Sequence, residues 1–294
     1  MGASESFKGK QWHALGTKVT GATHVRNDLP CQDAIRIETY GKYVVAAIAD
    51  GHGSEACSYS DDGSQAAVDC LHELCSDIIS CAGAETKDVI ENSRELRLPR
   101  QLAAAWRQRV SEIHSTKRDG EEFSYTLYGT TALCVVASPD FVFALQLGDG
   151  DILAVPDVVM PEDKEKDKEP APASPPLGYW LIEPEYMPGN ETYSLCIPDC
   201  WRYVKTHMIY PGARRAGEDA AEANPPPALI MLTTDGYFNS FLTNEGFVKA
   251  GADILKMLKT KGAEYVAENL EGWLESSTSE GSGDDIAMAL VYLK

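Results

Sequence analysis

Four apolar runs in this chain begin or end at an aspartate beside a glycine, and that repeated junction constrains the fold more than any other feature. Tyr43–Ala49 (YVVAAIA) ends at Asp50, with Gly51, His52 and Gly53 behind it. Phe141–Leu147 (FVFALQL) leads through Gly148 to Asp149 and Gly150, and Leu229–Thr233 leads to Asp235 and Gly236. Asp284 and Asp285 open the last run, Ile286–Leu293. Each run is short, continuous and rich in β-branched and aromatic residues, which reads as a strand bounded by turns. Thr131–Ala137 is a fifth such run, and the short turn between it and Phe141–Leu147 predicts a hairpin. In Phe141–Leu147 both alternating faces are apolar, as in a strand covered on both sides.

Helical spacing appears between and after these runs. Ala67, Leu71, Leu74 and Ile78 form one stripe, and Leu102, Trp106, Val110 and Ile113 a second. Val266, Leu270, Trp273 and Leu274 form a third, with a weaker one at Val248, Leu255 and Leu258. All are expected to face a core. The order is a strand, two long helices, several strands, two helices and a final strand. That is not the steady alternation of a doubly wound sheet, so the expected class is α+β, with helices packed on antiparallel sheets. Pro156–Pro176 is Pro-rich and charged, and Ala213–Pro227 is Ala/Glu-rich and ends in three prolines. Neither can bury much apolar surface, so both are expected as surface loops. The expected organisation is one domain over residues 1–294, with a variable insert or flap region at about 156–227.

Charge narrows the partners. The 45 Asp and Glu outnumber the 26 Lys and Arg, giving a net charge of −19, which argues against nucleic acid and against docking on anionic membrane. No apolar run approaches the roughly 18 residues of a membrane span. The first residues lack the apolar core of a signal peptide, and the loose Met-Gly-x-x-x-Ser match at Gly2 and Ser6 is read as an ordinary start. The eight cysteines form no Cys-x-x-Cys, and Cys196 and Cys200 lack a second pair at matching spacing, so reduced thiols and a cytoplasmic location are expected.

An Asp-Gly pair is also a common turn dipeptide, and for any one junction the turn reading stands beside a functional one. Four carboxylates delivered by strand ends favour a second role. Converging carboxylates repel unless cations offset them, and oxygen ligands of this kind suit Mg2+ or Mn2+.

The segments AIADGHG (Ala47–Gly53), YGTTA (Tyr128–Ala132), LGDGD (Leu147–Asp151), TTDGY (Thr233–Tyr237) and GSGDDIAMALV (Gly281–Val291) occur in the order and spacing of the PP2C-type, metal-dependent Ser/Thr protein phosphatases. GATHVRNDLPCQDA (Gly21–Ala34) resembles that family's first motif, and PCQDA and GNETYSL (Gly189–Leu195) resemble a bacterial branch. The resemblance implies an α-β-β-α sandwich of two antiparallel sheets flanked by helices. It also implies hydrolysis of phosphoserine or phosphothreonine by a water activated at a binuclear Mn2+ or Mg2+ centre, with a weaker third ion in some members. Carried over by motif, Asp50 and the Gly51 carbonyl, Asp235 and Asp284 would hold the two ions. Asp149 would help hold the third, and Asp285, which stands where many relatives have Asn, is a further candidate metal ligand. Asp33 would orient the nucleophile. His52 would protonate the departing alkoxide, or else be a turn histidine that orients a carboxylate. The implied partners are a phosphorylated protein and an opposing Ser/Thr kinase, in a signalling role.

The pattern departs from the family in Cys31-Gln32, which replaces the usual Glu or Asn-Gln, in Gly148-Asp149-Gly150, which replaces the GDS motif, and at a phosphate-gripping position. Many relatives carry a phosphate-gripping arginine five residues before the first-motif aspartate, and here that residue is Asp28. His24 and Arg26 are the nearby basic candidates, and Arg26 is either a bidentate clamp or a solvated loop residue. This departure keeps two alternatives open: a PP2C fold that serves as a regulatory or binding module, and a hydrolase of another phosphoester.

Overall fold

The computed structural model describes residues 10–157, 176–184, 192–210 and 224–294. The Gly2 and Ser6 pattern, residues 158–175 and 213–223 of the two inserts, and the first three residues of the GNETYSL segment lie outside the described residues.

Among the described residues, ten strands build two five-stranded sheets. One sheet contains β2 (Ala34–Tyr40), β3 (Tyr43–Ala49), β4 (Ala132–Ala137), β5 (Val142–Leu147) and β8 (Lys205–Ile209), in that order. The other contains β1 (Trp12–Val19), β10 (Ile286–Leu293), β9 (Pro227–Thr233), β6 (Asp151–Pro156) and β7 (Tyr179–Trp180). Every pairing is antiparallel, including the hairpin that sets Ala132 opposite Leu147.

Alternation along the strands sorts side chains into three apolar layers. Val44, Ala46, Ile48, Leu133 and Val135 of the first sheet meet Ile152, Ile230, Leu232, Ala287 and Ala289 of the second in the central layer. Val45, Ala47, Cys134, Phe143 and Leu145 point the other way, against α2 (Ser60–Ala82) and α4 (Arg97–Lys117), where Ala67, Leu71, Leu102 and Trp106 cover them. Leu153, Met231, Met288 and Leu290 are covered in turn by Phe247 and Ile254 of α6 (Asn244–Thr260) and by Val266, Leu270 and Leu274 of α7 (Ala263–Ser277). The fold is therefore a sandwich of two antiparallel sheets with helices on both outer faces. Because each sheet has helices on one face and a sheet on the other, its inner strands are apolar on both faces, unlike the usual half-solvated antiparallel strand. Among the described residues no helix is long and apolar enough to cross a membrane.

The periodicity did not reveal β1, β2 and β8, which lie at sheet edges and are only partly buried along most of their length. Two strands, β7 and β8, fall between the two expected loops, inside the 156–227 insert or flap region, and supply an edge to each sheet.

Antiparallel pairing gathers the acidic junctions at one end of the sandwich. The start of β2 lies beside the end of β3, with Ala34 opposite Ala49. The end of β9 lies beside the starts of β6 and β10, with Thr233 opposite both Asp151 and Met288.

Candidate active site

Asp33, immediately before β2, is buried and accepts a 2.7 Å hydrogen bond from the Thr234 hydroxyl. That hydroxyl in turn accepts from the Ala287 amide at 2.8 Å, so one threonine ties Asp33 to both β9 and β10. Asp50 follows β3. Its carbonyl accepts from the Thr131 amide and the Thr130 hydroxyl, both at 2.8 Å, and its amide donates to the Thr131 hydroxyl at 2.9 Å. The two threonines of YGTTA thus fix the backbone of Asp50. Gly51 is needed for close approach: a Cβ there would sit 2.6 Å from the Gln32 carbonyl oxygen and 2.7 Å from that of Ser60. The His52 amide donates to the Gly129 carbonyl. Asp235 opens the short helix α5 (Asp235–Phe238) and accepts from the Asn239 side-chain amide at 3.0 Å. Asp284 accepts from the amide of Asp285 at 2.9 Å.

These groups converge on a cleft of about 710 Å³. Its lining includes six carboxylates, Asp33, Asp50, Asp149, Asp235, Asp284 and Asp285, together with His24, Gln32, Gly51 and His52. Among the described residues no arginine or lysine lines it, and Arg26 is exposed, donating to the Thr23 hydroxyl at 3.2 Å.

So much uncompensated acid in one place resists ionisation. Burial pushes Asp33 well above the ordinary carboxylate range; its bond from Thr234 opposes this, and Asp285, Asp235 and Asp284 add repulsion. Burial, then Asp33 and Asp235, push Asp50 up in the same way. Asp235 rises to about 6, with burial the largest cause, and burial also raises Asp284. Burial lowers His52, while Asp149 opposes the shift. Among the described residues no three His, Cys, Asp or Glu side chains already close into a metal cage. The donor chemistry nonetheless fits hard divalent cations: carboxylate and backbone oxygen, clustered, with their charge otherwise unpaid.

Asp285 sits differently from the others. One of its oxygens accepts from the Gly21 amide at 2.6 Å, and the other from the Gln32 amide at 2.6 Å and from His24 Nδ1 at 3.0 Å. Sequence reasoning missed the anchoring threonines Thr130, Thr131 and Thr234. It also missed Asp151, a fully buried carboxyl at the start of β6 that burial raises to about 7. YGTTA and TTDGY pointed to the threonines; the LGDGD segment ended on Asp151 without marking it as special.

Comparison with known proteins agrees with this architecture. Residues 20–275 match the protein phosphatase 2C family. A curated relative is serine/threonine-protein phosphatase 3 of Escherichia coli (strain K12), 24% identical over 147 residues that make up 48% of this chain and 53% of that protein. The match thus spans about half the length of that relative. Among solved structures, PppA, described as a key regulatory component of T6SS in Pseudomonas aeruginosa, superposes with a TM-score of 0.58 at 13% identity, covering 97% of this chain and 98% of that one. A sex determining protein of C. elegans superposes with a TM-score of 0.57 at 13% identity, covering 96% of this chain and 65% of that one. Structural likeness at such identities speaks for the fold; the match over residues 20–275 speaks for descent, and the chain belongs to the protein phosphatase 2C family.

Proposed function

We propose that this chain is a Mn2+- or Mg2+-dependent phosphatase that hydrolyses phosphoserine or phosphothreonine in proteins. The observation that carries the reading is the convergence of Asp33, Asp50, Asp149, Asp235 and Asp284 on one cleft, where burial and mutual repulsion make cations their natural complement. Asp50, the Gly51 carbonyl, Asp235 and Asp284 would hold two ions, and Asp149 would help hold a third. Ions of this kind, when bound, acidify a water and offset charge on phosphoryl oxygens.

The protein's own groups do the rest. Asp33 has one carboxyl oxygen held by Thr234, which leaves the other to accept a proton from the attacking water and aim its lone pair at phosphorus. His52 faces the same cleft, fixed through its backbone at Gly129. Burial favours its neutral ring, but an arriving phosphate dianion favours the protonated one, which can then donate to the leaving serine or threonine oxygen. Attack and departure lie on opposite sides of phosphorus, so positioning and electrostatics supply the catalysis and no cysteine nucleophile is needed.

Asp28, exposed and in a left-handed conformation (φ 54°) where relatives grip phosphate with arginine, favours a second reading as a binding module without turnover. One assay separates the two: hydrolysis of p-nitrophenyl phosphate and of a phosphothreonine peptide with Mn2+, with EDTA, and in Asp50→Ala. Phosphatase action predicts Mn2+-dependent turnover of both substrates that EDTA and Asp50→Ala abolish. Activity that survives both treatments would refute the metal-dependent mechanism. No turnover of either ester would favour the binding module, and turnover of the small ester alone would favour another phosphoester.

A further inference from the structure

A phosphatase needs a donor that grips the phosphoryl group, and the cleft offers neither arginine nor lysine for it among the described residues. The structure places a histidine there instead. His24 lies on α1 (Ala22–Arg26), lines the cleft, and has a side chain only 12% exposed. Its Nδ1 is 3.0 Å from Asp285, and a carboxylate can only accept, so Nδ1 carries the proton of that bond. This leaves Nε2 as the ring atom free to face the DGHG turn. A Cβ built on Gly53 would lie 3.6 Å from it and 3.1 Å from the Gln32 side-chain oxygen.

We propose that His24, clamped by Asp285, grips the substrate phosphoryl group in place of the family's arginine. The inference rests on the phosphatase reading above. With Nδ1–H held by Asp285, Nε2 is the ring atom that lines the cleft, where it shares a proton with a phosphoryl oxygen of the monoester. Asp285 is then a positioning residue. Its two oxygens hold Gly21, Gln32 and the His24 ring together, which fixes the 21–32 loop against the start of β10. Arg26, one residue beyond Val25 on the exposed side of α1, is left to solvent.

The test is calorimetric binding of inorganic phosphate to the full chain in saturating Mn2+, alongside steady-state hydrolysis of a phosphothreonine peptide. Loss of a charge-assisted hydrogen bond predicts that His24→Ala weakens phosphate binding about tenfold or more and raises KM to match, with a much smaller change in kcat. Asp285→Asn, which leaves one acceptor oxygen and sets an NH2 against N–H donors, should raise KM in the same direction while kcat changes less. Thermal unfolding of both variants in Mn2+ identifies any that fail to fold, and His24→Gln, which keeps a neutral donor, should then recover part of the phosphate affinity. Phosphate affinity unchanged in folded His24→Ala, or weakened more by Arg26→Ala than by His24→Ala, would overturn the proposal. Absence of peptide turnover in the wild type, with phosphate binding still dependent on His24, would count against the phosphatase reading and not against the grip.

Discussion

Replacing Asp151 with asparagine should stabilise the metal-free protein by an amount that grows as pH rises from about 4 to about 7. Asp151 is fully buried at the start of β6, opposite Thr233. One carboxyl oxygen accepts from the Trp180 indole at 2.5 Å; the other is buried without a partner, as is the Thr233 hydroxyl. Burial raises this carboxyl from an ordinary 3.8 to about 7; the Trp180 bond opposes the rise, and Asp235 and Asp149 add to it. Because the folded value lies above the unfolded one, the folded protein holds a proton that the unfolded chain has released. Stability is therefore whole below about pH 4, falls as pH rises toward 7, and stays reduced above it. At about 1.4 kcal/mol for each pH unit between the two values, the loss is about 4 kcal/mol at pH 8. Asparagine removes that charging cost and keeps an oxygen for Trp180. Urea unfolding in EDTA at pH 4.5, 6 and 8 measures the difference. The variant should lead by about 1 kcal/mol at pH 4.5 and gain further as pH rises, to about 4 kcal/mol at pH 8. A gap that does not change with pH, or one that narrows as pH rises, would refute the reasoning.

Two other substitutions probe the site and its support. Asp235→Asn should lose most phosphatase activity, yet gain stability in EDTA at pH 8 by up to about 3 kcal/mol, since the carboxyl it replaces is raised to about 6. A marked fall in its metal-free melting temperature would instead mark Asp235 as structural. Gly63→Ala places a Cβ 2.0 Å from the Tyr128 carbonyl oxygen, inside the packing of α2 on the turn at Tyr125–Tyr128. Backbone cannot swing aside as a side chain can, so the clash should outweigh the better helix propensity of alanine and cost about 2 kcal/mol or more. A urea midpoint at or above the wild type's would contradict that packing.

How much of this was legible in the sequence follows from where each residue is covered. β3, β4, β5, β9 and β10 stood out because a sheet on one side and helices on the other leave no polar face. β1 and β2 did not, because an edge strand keeps polar and half-exposed residues such as His13, Lys18, Arg36 and Glu38. β6 is entirely buried, but it is short, begins at Asp151 and ends at Pro156, where the register with β9 shifts. The aspartates at strand ends were visible because each adjoins a long apolar run and a glycine. Asp33 has no such run before it and was found through the family resemblance. The His24–Asp285 contact joins residues 261 positions apart, and no local spacing encodes it. Asp285 therefore looked like one more candidate ligand, whereas its oxygens are engaged by the 21–32 loop.

The central claim is that the acidic strand ends form one site completed by divalent cations. Calorimetric titration of Mn2+ into the EDTA-stripped chain at pH 7.5, for the wild type and for Asp50→Asn, tests it most directly. The account predicts saturable Mn2+ binding with proton release, because carboxyls raised by burial and repulsion must ionise to coordinate. It also predicts that Asp50→Asn loses most of that binding. Saturable Mn2+ binding of equal affinity in both proteins, or none in the wild type, would contradict it.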